Sequence, residues 1–184
     1  MDTIRNGYTT DVLLIGAGSS RTRRVMVGEK EGWEGQRVMS LDIEERHKPD
    51  VVWNLERFPW PFDDNGADEI HAYEVLEHLG HQGDVATFFR HFYECWRILK
   101  PGGHLAATVP MWNSPWAWGD PGHTRIISLH SLTFLNQQEY KKQVGATPMS
   151  DYRRYWRGDF DLVANQETEH TLVFVLQAVK PPRI

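Results

Sequence analysis

Val12–Ser20 reads VLLIGAGSS, and its reading decides the fold. Four apolar residues, Val12 to Ile15, run into Gly16-Ala17-Gly18, then two serines and Arg21. A short apolar run ending in a glycine turn fits a buried parallel strand that feeds a loop and a helix. One glycine permits a backbone angle that a side chain resists, and the other lets a ligand approach the main chain closely. The same pattern also closes ordinary strand turns, so the rest of the chain decides between the two.

Outward from this stretch, strands alternate with crossovers. Ser20–Val27 has room for a short helix, and Glu29–Gly35 reads as a loop. Further strands are expected at Arg37–Leu41 (ending at Asp42), Asp50–Asn54, Asp68–Tyr73 and His104–Val109. Pro59 and Pro61 exclude a ladder strand from Phe58–Phe62. Asp84 is placed to cap a helix to Leu99, with Val85, Phe88, Phe92, Cys95 and Leu99 on one buried face. Lys100-Pro101-Gly102-Gly103 stops it. Ser131 can cap a helix running to about Gln143, and Phe160–Gln166 with Thr171–Val179 reads as a hairpin. The pattern implies an α/β fold: a mainly parallel sheet of about seven strands, a C-terminal antiparallel hairpin at its edge, and helices on both faces.

The 184 residues suffice for one domain with a real core, 1–184. The formal net charge of −5 gives no global basic footprint, so nucleic acid is not the expected partner. Cys95 is the single cysteine, which excludes an internal disulfide framework and suits a reducing cytoplasm. The polar start MDTIRNGYTT lacks the apolar core of a secretory signal, and no apolar run approaches the roughly 20 residues of a membrane span. Eight tryptophans are many for this length, and three crowd into one segment.

Five pieces in order carry a family resemblance: VLLIGAGSS, VMSLDI (Val38–Ile43), DVVWNLERFPWPFDDNGADEI (Asp50–Ile70), VLEHLGH (Val75–His81) and ILKPGG (Ile98–Gly103). Together they resemble a class I S-adenosylmethionine-dependent methyltransferase of the small-molecule, type 11-like branch. The resemblance covers roughly residues 12–135 and, more weakly, the hairpin. It implies a Rossmann-like fold, S-adenosylmethionine as cofactor, and methyl transfer to a small-molecule acceptor. Ligands of open α/β sheets sit at strand carboxyl ends, where Gly16, Ala17, Gly18, Asp42, Ile43, Asn54, Leu55 and Tyr73 fall. Asp42 offers two acceptor oxygens to ribose hydroxyls. Asn54 stands where the family often has an acidic residue facing the adenine, with Leu55 to pack on the ring; its alternative is an Asx turn. Two departures stand out. Ser20 replaces the usual third glycine, and the lead-in is too short for the helix that lids the cofactor in many relatives, which leaves the pocket open or covered by a partner.

The acceptor site has three candidate sources. Glu74, Glu77, His78 and His81 follow the fourth strand, with Glu74 and His78 as reserve bases; the resemblance makes Glu77 and His78 common family residues, often structural. His78 and His81 show metal-like spacing but lack an obvious third ligand, so no metal is expected. The loop Met111–Arg125 brings Trp112, Trp116 and Trp118 together with His123 as general base and Arg125 to orient an anion. Those tryptophans read equally as packing in place of missing helices or as a homodimer contact. Tyr152–Arg157 reads as a solvated face or a contact for an acidic acceptor or nucleic acid. Two other functions compete: a methyltransferase-like binding or scaffold protein without turnover, and an NAD-dependent enzyme, which Arg21 at the third-glycine position disfavours.

Overall fold

A computed structural model describes residues 7–28 and 32–184. The first six residues and the start of the expected Glu29–Gly35 loop lie outside the described residues. The strands are β1 Val12–Ile15, β2 Val38–Asp42, β3 Val51–Val52, β4 Ala67–Tyr73, β5 Leu99–Pro110, β6 Phe160–Glu167 and β7 Thr171–Ala178. They form one sheet in the order β3-β2-β1-β4-β5-β7-β6. The first five are parallel; β7 inserts antiparallel between β5 and β6. The chain runs outward from β1 in one direction and from β4 in the other. That reversal opens a crevice at the carboxyl ends of β1 and β4.

β1 lies between two parallel neighbours and all four of its residues are buried, as expected of a strand covered on both faces. Helix α1, Val85–Ile98, starts where Asp84 accepts the Thr87 N–H at 3.0 Å. It turns Phe89, Phe92, Cys95 and Ile98 onto Leu13, Ile15, Ile70, Ala72 and Leu105. Leu99, expected as its last buried residue, is instead the first of β5. The Lys100–Gly103 turn then becomes an irregularity in β5, where the pairing jumps from Ala67↔Leu99 to Glu69↔His104.

Three short helices follow: α2 Pro115–Gly119, α3 Leu129–Thr133 and α4 Gln137–Gln143. The single helix expected from Ser131 is thus two. Ser128 and Ser131 cap α3 reciprocally. Asn136 then accepts the N–H groups of Gln138 and Glu139, which starts a new helix rather than continuing the old one. Trp156, expected on a solvated face, is fully buried between Phe89 and Phe160.

The second face of the sheet is covered by irregular chain rather than by the helix expected over Ser20–Val27. Side chains claim the amides a helix would pair internally. The Tyr73 hydroxyl accepts from Arg24 N–H at 3.1 Å and Val25 N–H at 3.3 Å. Arg23 turns inward, 3.0 Å from the Glu69 carboxylate, with its guanidinium over Trp33. Thr22, Val25 and Val27 are β-branched and add little helix preference of their own. Edge strand β6 buries Phe160 but exposes most of the rest, and a pairing shift between Leu162 and Ala164 breaks its regularity.

Candidate functional site

Gly16 and Gly18 end β1 with φ of 57° and 53°, the left-handed region that glycine enters without strain. A Cβ on Gly16 would stand 2.2 Å from Val75 Cγ2, so this position also needs the absence of a side chain. The Gly18 N–H donates to Asp42 Oδ2 at 2.7 Å, and the Glu44 N–H donates to Asp42 Oδ1 at 2.8 Å. Asp42 therefore couples the ends of β1 and β2 and keeps lone pairs on both oxygens.

Two cavities flank Gly16. One, about 450 Å³, is lined by Gly16, Asp42, Ile43, Asn54, Leu55 and His78, among others. Its lining is apolar through Leu41, Leu55 and Val75 and polar through Asp42 and Asn54, a mixture suited to a nucleoside. Asn54 Oδ1 accepts the Glu56 N–H at 2.8 Å, so the Asx turn is formed, at the cavity edge. The other, about 290 Å³, is lined by Ala17, Gly18, Ser19, Ser20, Arg24 and Tyr73 among others, a polar wall with one cation.

Beneath that second cavity lies a buried polar chain that was not anticipated. His71 Nδ1 meets the Tyr73 hydroxyl at 2.6 Å, and His71 Nε2 meets Glu69 Oε2 at 2.8 Å. Burial holds the His71 pKa below its usual value. Burial pushes Glu69 upward, but its hydrogen bond to His71 and the Arg23 charge outweigh this, and its pKa is lowered. Burial raises the Tyr73 pKa. Glu69, His71 and Tyr73 alternate along β4, so period two in the sequence was the available signal. Tyr73 was named from its place at the strand end, but alternating polar residues read by default as a solvated face, which concealed Glu69, His71 and their link to it.

On the far side of the larger cavity, a single 3₁₀ turn, Leu76–His78, carries Glu77 and His78. Loop 122–125 is bound to it. The N–H groups of Thr124 and Arg125 both donate to the Glu77 carbonyl, at 3.0 and 3.1 Å. His123 is thereby brought against His78, with ring centroids 4.7 Å apart. His123 Nε2 lies 4.0 Å from Glu77 Oε1 and 3.8 Å from Asp120 Oδ2. Burial, reinforced by the Glu74 and Asp120 carboxylates, pushes the Glu77 pKa up to about 8. Glu74 has φ of 55°, strained for a side-chain-bearing residue.

The expected acceptor residues separate. His78 and His123 meet, with Glu74 near enough to act on Glu77. Arg125 is buried and donates to the carbonyls of Leu79, His81 and Asp84, so it clamps the loop and is not presented as an anion-orienting group. Trp112, Trp116 and Trp118 are 55%, 63% and 73% exposed, and the Trp118 indole N–H donates to the Trp112 carbonyl. They do not replace missing helices in the core.

The fold and the crevice define a nucleoside-binding α/β domain of the open, doubly wound type. The methyltransferase domain family model matches residues 13–107, and the chain belongs to that family. S-adenosylmethionine is the cofactor this membership implies, and the mixed cavity with Asp42 in its wall fits it. No curated protein compared with the chain matches it. Among solved structures, a SAM-dependent methyltransferase from Archaeoglobus fulgidus is 14% identical with a TM-score of 0.54, covering 94% of this chain and 87% of that one. One from Methanosarcina mazei is 17% identical with a TM-score of 0.54, covering 95% of each. The 1,6-didemethyltoxoflavin-N1-methyltransferase of Burkholderia thailandensis, solved with 1,6-didemethyltoxoflavin and S-adenosylhomocysteine, is 14% identical with a TM-score of 0.52, covering 94% and 72%. At these identities the likeness is one of fold. No helix among the described residues is long and apolar enough to cross a membrane.

Proposed function

We propose that the chain is one domain that transfers a methyl group from S-adenosylmethionine to a small-molecule acceptor in the cytoplasm. The observation that carries this reading is the cavity between the Gly16–Gly18 turn and Asn54–Leu55, with Asp42 in its wall. When bound, the cofactor supplies an electrophilic methyl on a sulfonium. The remaining chemistry is positioning, exclusion of water and, for a protic acceptor, removal of a proton. Asp42 holds the ribose through its two oxygens, Leu55 packs on the adenine, and Asn54 meets the adenine edge. Gly16, Ala17, Gly18 and Tyr73 shape the end that takes the amino-acid part. His123 accepts the acceptor's proton, with His78 and Glu74 as the groups next in reach.

The acceptor class is supported by the 1,6-didemethyltoxoflavin bound in the Burkholderia structure. Trp112, Trp116 and Trp118 extend from the same end of the sheet as the cavities, either as an outer acceptor wall or as a contact in a homodimer. Because all three are exposed, Trp116→Ala and Trp118→Ala should leave stability within about 0.5 kcal/mol of the parent. Thermal unfolding checks this; a large loss would mean they pack where the structure leaves them in solvent.

The decisive test is Asp42→Ala, read by calorimetry with S-adenosylhomocysteine. Losing charge-assisted bonds of about 1.5–3 kcal/mol should weaken binding roughly 10- to 100-fold. Asp42→Asn retains one carbonyl acceptor and should fall between. Unchanged affinity in both variants would overturn the ribose assignment.

A further inference from the structure

The least settled group in the described residues is the carboxylate of Glu77. Its side chain is 3% exposed, and among the described residues neither oxygen meets an N–H or cationic donor. An ionised carboxylate this deep is costly unless something positive meets it. The nearby Asp120 carboxylate, which shares His123 Nε2 with Glu77, is of the same sign and cannot neutralise it. Arg125, whose backbone N–H donates to the Glu77 carbonyl, directs its guanidinium to the carbonyls of Leu79, His81 and Asp84 instead.

Two imidazoles complete the surroundings. Ligand atoms of Glu77, His78 and His123 all lie within 4.8 Å of one another. His78 Nδ1 donates to the Gly122 carbonyl at 2.9 Å. In a neutral ring this fixes the tautomer and leaves the Nε2 lone pair for another partner, as backbone carbonyls commonly do for metal-binding histidines. His123 Nδ1 is buried without a partner, while its Nε2 faces two carboxylates at separations too long for hydrogen bonds. The scaffold is fixed around them. The Glu77 carbonyl accepts from Thr124 and Arg125, and Gly122 has Asp120 Oδ1 and His78 Nδ1 only 3.2 and 3.3 Å from where a Cβ would stand.

We propose that Glu77, His78 and His123 form a binding site for a divalent first-row transition-metal ion, with Asp120 and Glu74 as flanking carboxylates. Two imidazoles and a carboxylate suit zinc, manganese or iron better than magnesium or calcium, which prefer oxygen alone. Ligands about 2.1 Å from one tetrahedral ion stand about 3.4 Å apart. Separations of up to 4.8 Å must therefore close by side-chain rotation on binding. The sequence alone gave His78 and His81 without a third ligand; the fold replaces His81 by His123 and adds Glu77. Because His78 also lines the larger cavity, the ion borders the cofactor pocket and has coordination positions left for water or an acceptor heteroatom. That last consequence rests on the methyltransferase reading; binding of the ion does not. In the metal-loaded protein His123 orients the ion and is no longer the proton acceptor.

The test uses tag-free, full-length protein stripped with chelator and dialysed against zinc, with bound metal measured by plasma emission and folding checked by circular dichroism. One ion per chain is expected. Affinity should fall about tenfold or more in Glu77→Gln and His123→Ala. His78 is exposed, so His78→Ala should weaken binding with the fold intact, whereas His81→Ala should leave binding unchanged. No stoichiometric uptake by the folded parent, or uptake that none of the three ligand substitutions alters, would overturn the site. S-adenosylhomocysteine binding is titrated on the same samples. Zinc uptake without nucleoside binding upholds this site and removes the methyltransferase reading; the converse does the opposite.

Discussion

Trp60→Ala should lower the stability of the protein by about 3–5 kcal/mol, the usual cost of emptying a buried aromatic site. Against a typical total of about 5–15 kcal/mol this is a large fraction. Trp60 is 2% exposed and lies parallel to Phe58, with ring centroids 6.5 Å apart. It is also a fastener. Its indole N–H donates to the Leu55 carbonyl at 2.9 Å, and its backbone N–H donates to Glu94 on α1 at 2.6 Å. Leu55 lines the larger cavity, so the substitution should weaken S-adenosylhomocysteine binding under conditions where the variant is still folded. Trp60→Phe retains most of the volume and loses the N–H, which should cost about 1–2 kcal/mol. Urea unfolding followed by a nucleoside titration below the transition reads both effects. An unfolding midpoint unchanged in Trp60→Ala would mean that the Phe58–Phe62 connection is not part of the core.

The elements legible in the sequence are those whose local signals and tertiary environment agree. VLLI followed by two glycines gave β1 and its turn, Asp84 gave the start of α1, and the paired runs Phe160–Gln166 and Thr171–Val179 gave the hairpin. These depend on period, capping and turn chemistry, all local. The segment after the glycine turn failed because its conformation is set from outside. Tyr73, Glu69 and Trp33 take up Arg23, Arg24 and Val25, and no periodicity within Ser20–Val27 reveals that. Trp156 was misread for a related reason: its charged neighbours suggested a surface, while a single aromatic turned inward to stack on Phe89 and Phe160.

The site divides in the same way. Gly16, Gly18, Asp42, Asn54 and Leu55 follow from strand ends, because the crevice of an open parallel sheet lies there whatever the loops do. Gly16, Asp42, Asn54 and Leu55 line the larger cavity, and Gly18 lines its neighbour across the turn. His123 and His78 were each singled out, but their contact depends on the Glu77 carbonyl gathering two N–H groups from the loop after β5. Backbone pairing between distant loops leaves no trace in side-chain pattern. The burial of Glu77 is likewise invisible in LEH, where a glutamate next to a histidine reads as solvated.

Arg183→Ala should cost about 3–5 kcal/mol, because it leaves a carboxylate buried without its cation. Asp159 is fully buried at the start of the hairpin. Arg183 reaches it through Nε at 2.6 Å and Nη2 at 3.0 Å, and the same guanidinium holds Asp161 at 2.7 Å. Among the described residues, two backbone N–H groups, of Gln137 and Arg183 itself, otherwise meet the Asp159 carboxylate, at 2.9 and 3.0 Å. They solvate it but do not neutralise it. Asp159 thus joins the start of α4, the base of β6 and the chain's last residues, and its charge is tolerable because the planar fork of arginine matches it. Arg183→Lys keeps the charge and loses the fork, so it should restore only part of the stability. Adding Asp159→Asn to Arg183→Ala removes the stranded charge and should make the double variant more stable than Arg183→Ala alone. Chemical unfolding of the four proteins in that cycle gives the coupling directly. A loss below about 1 kcal/mol for Arg183→Ala would assign the pair to the class of exposed ion pairs and detach the C-terminal residues from the core.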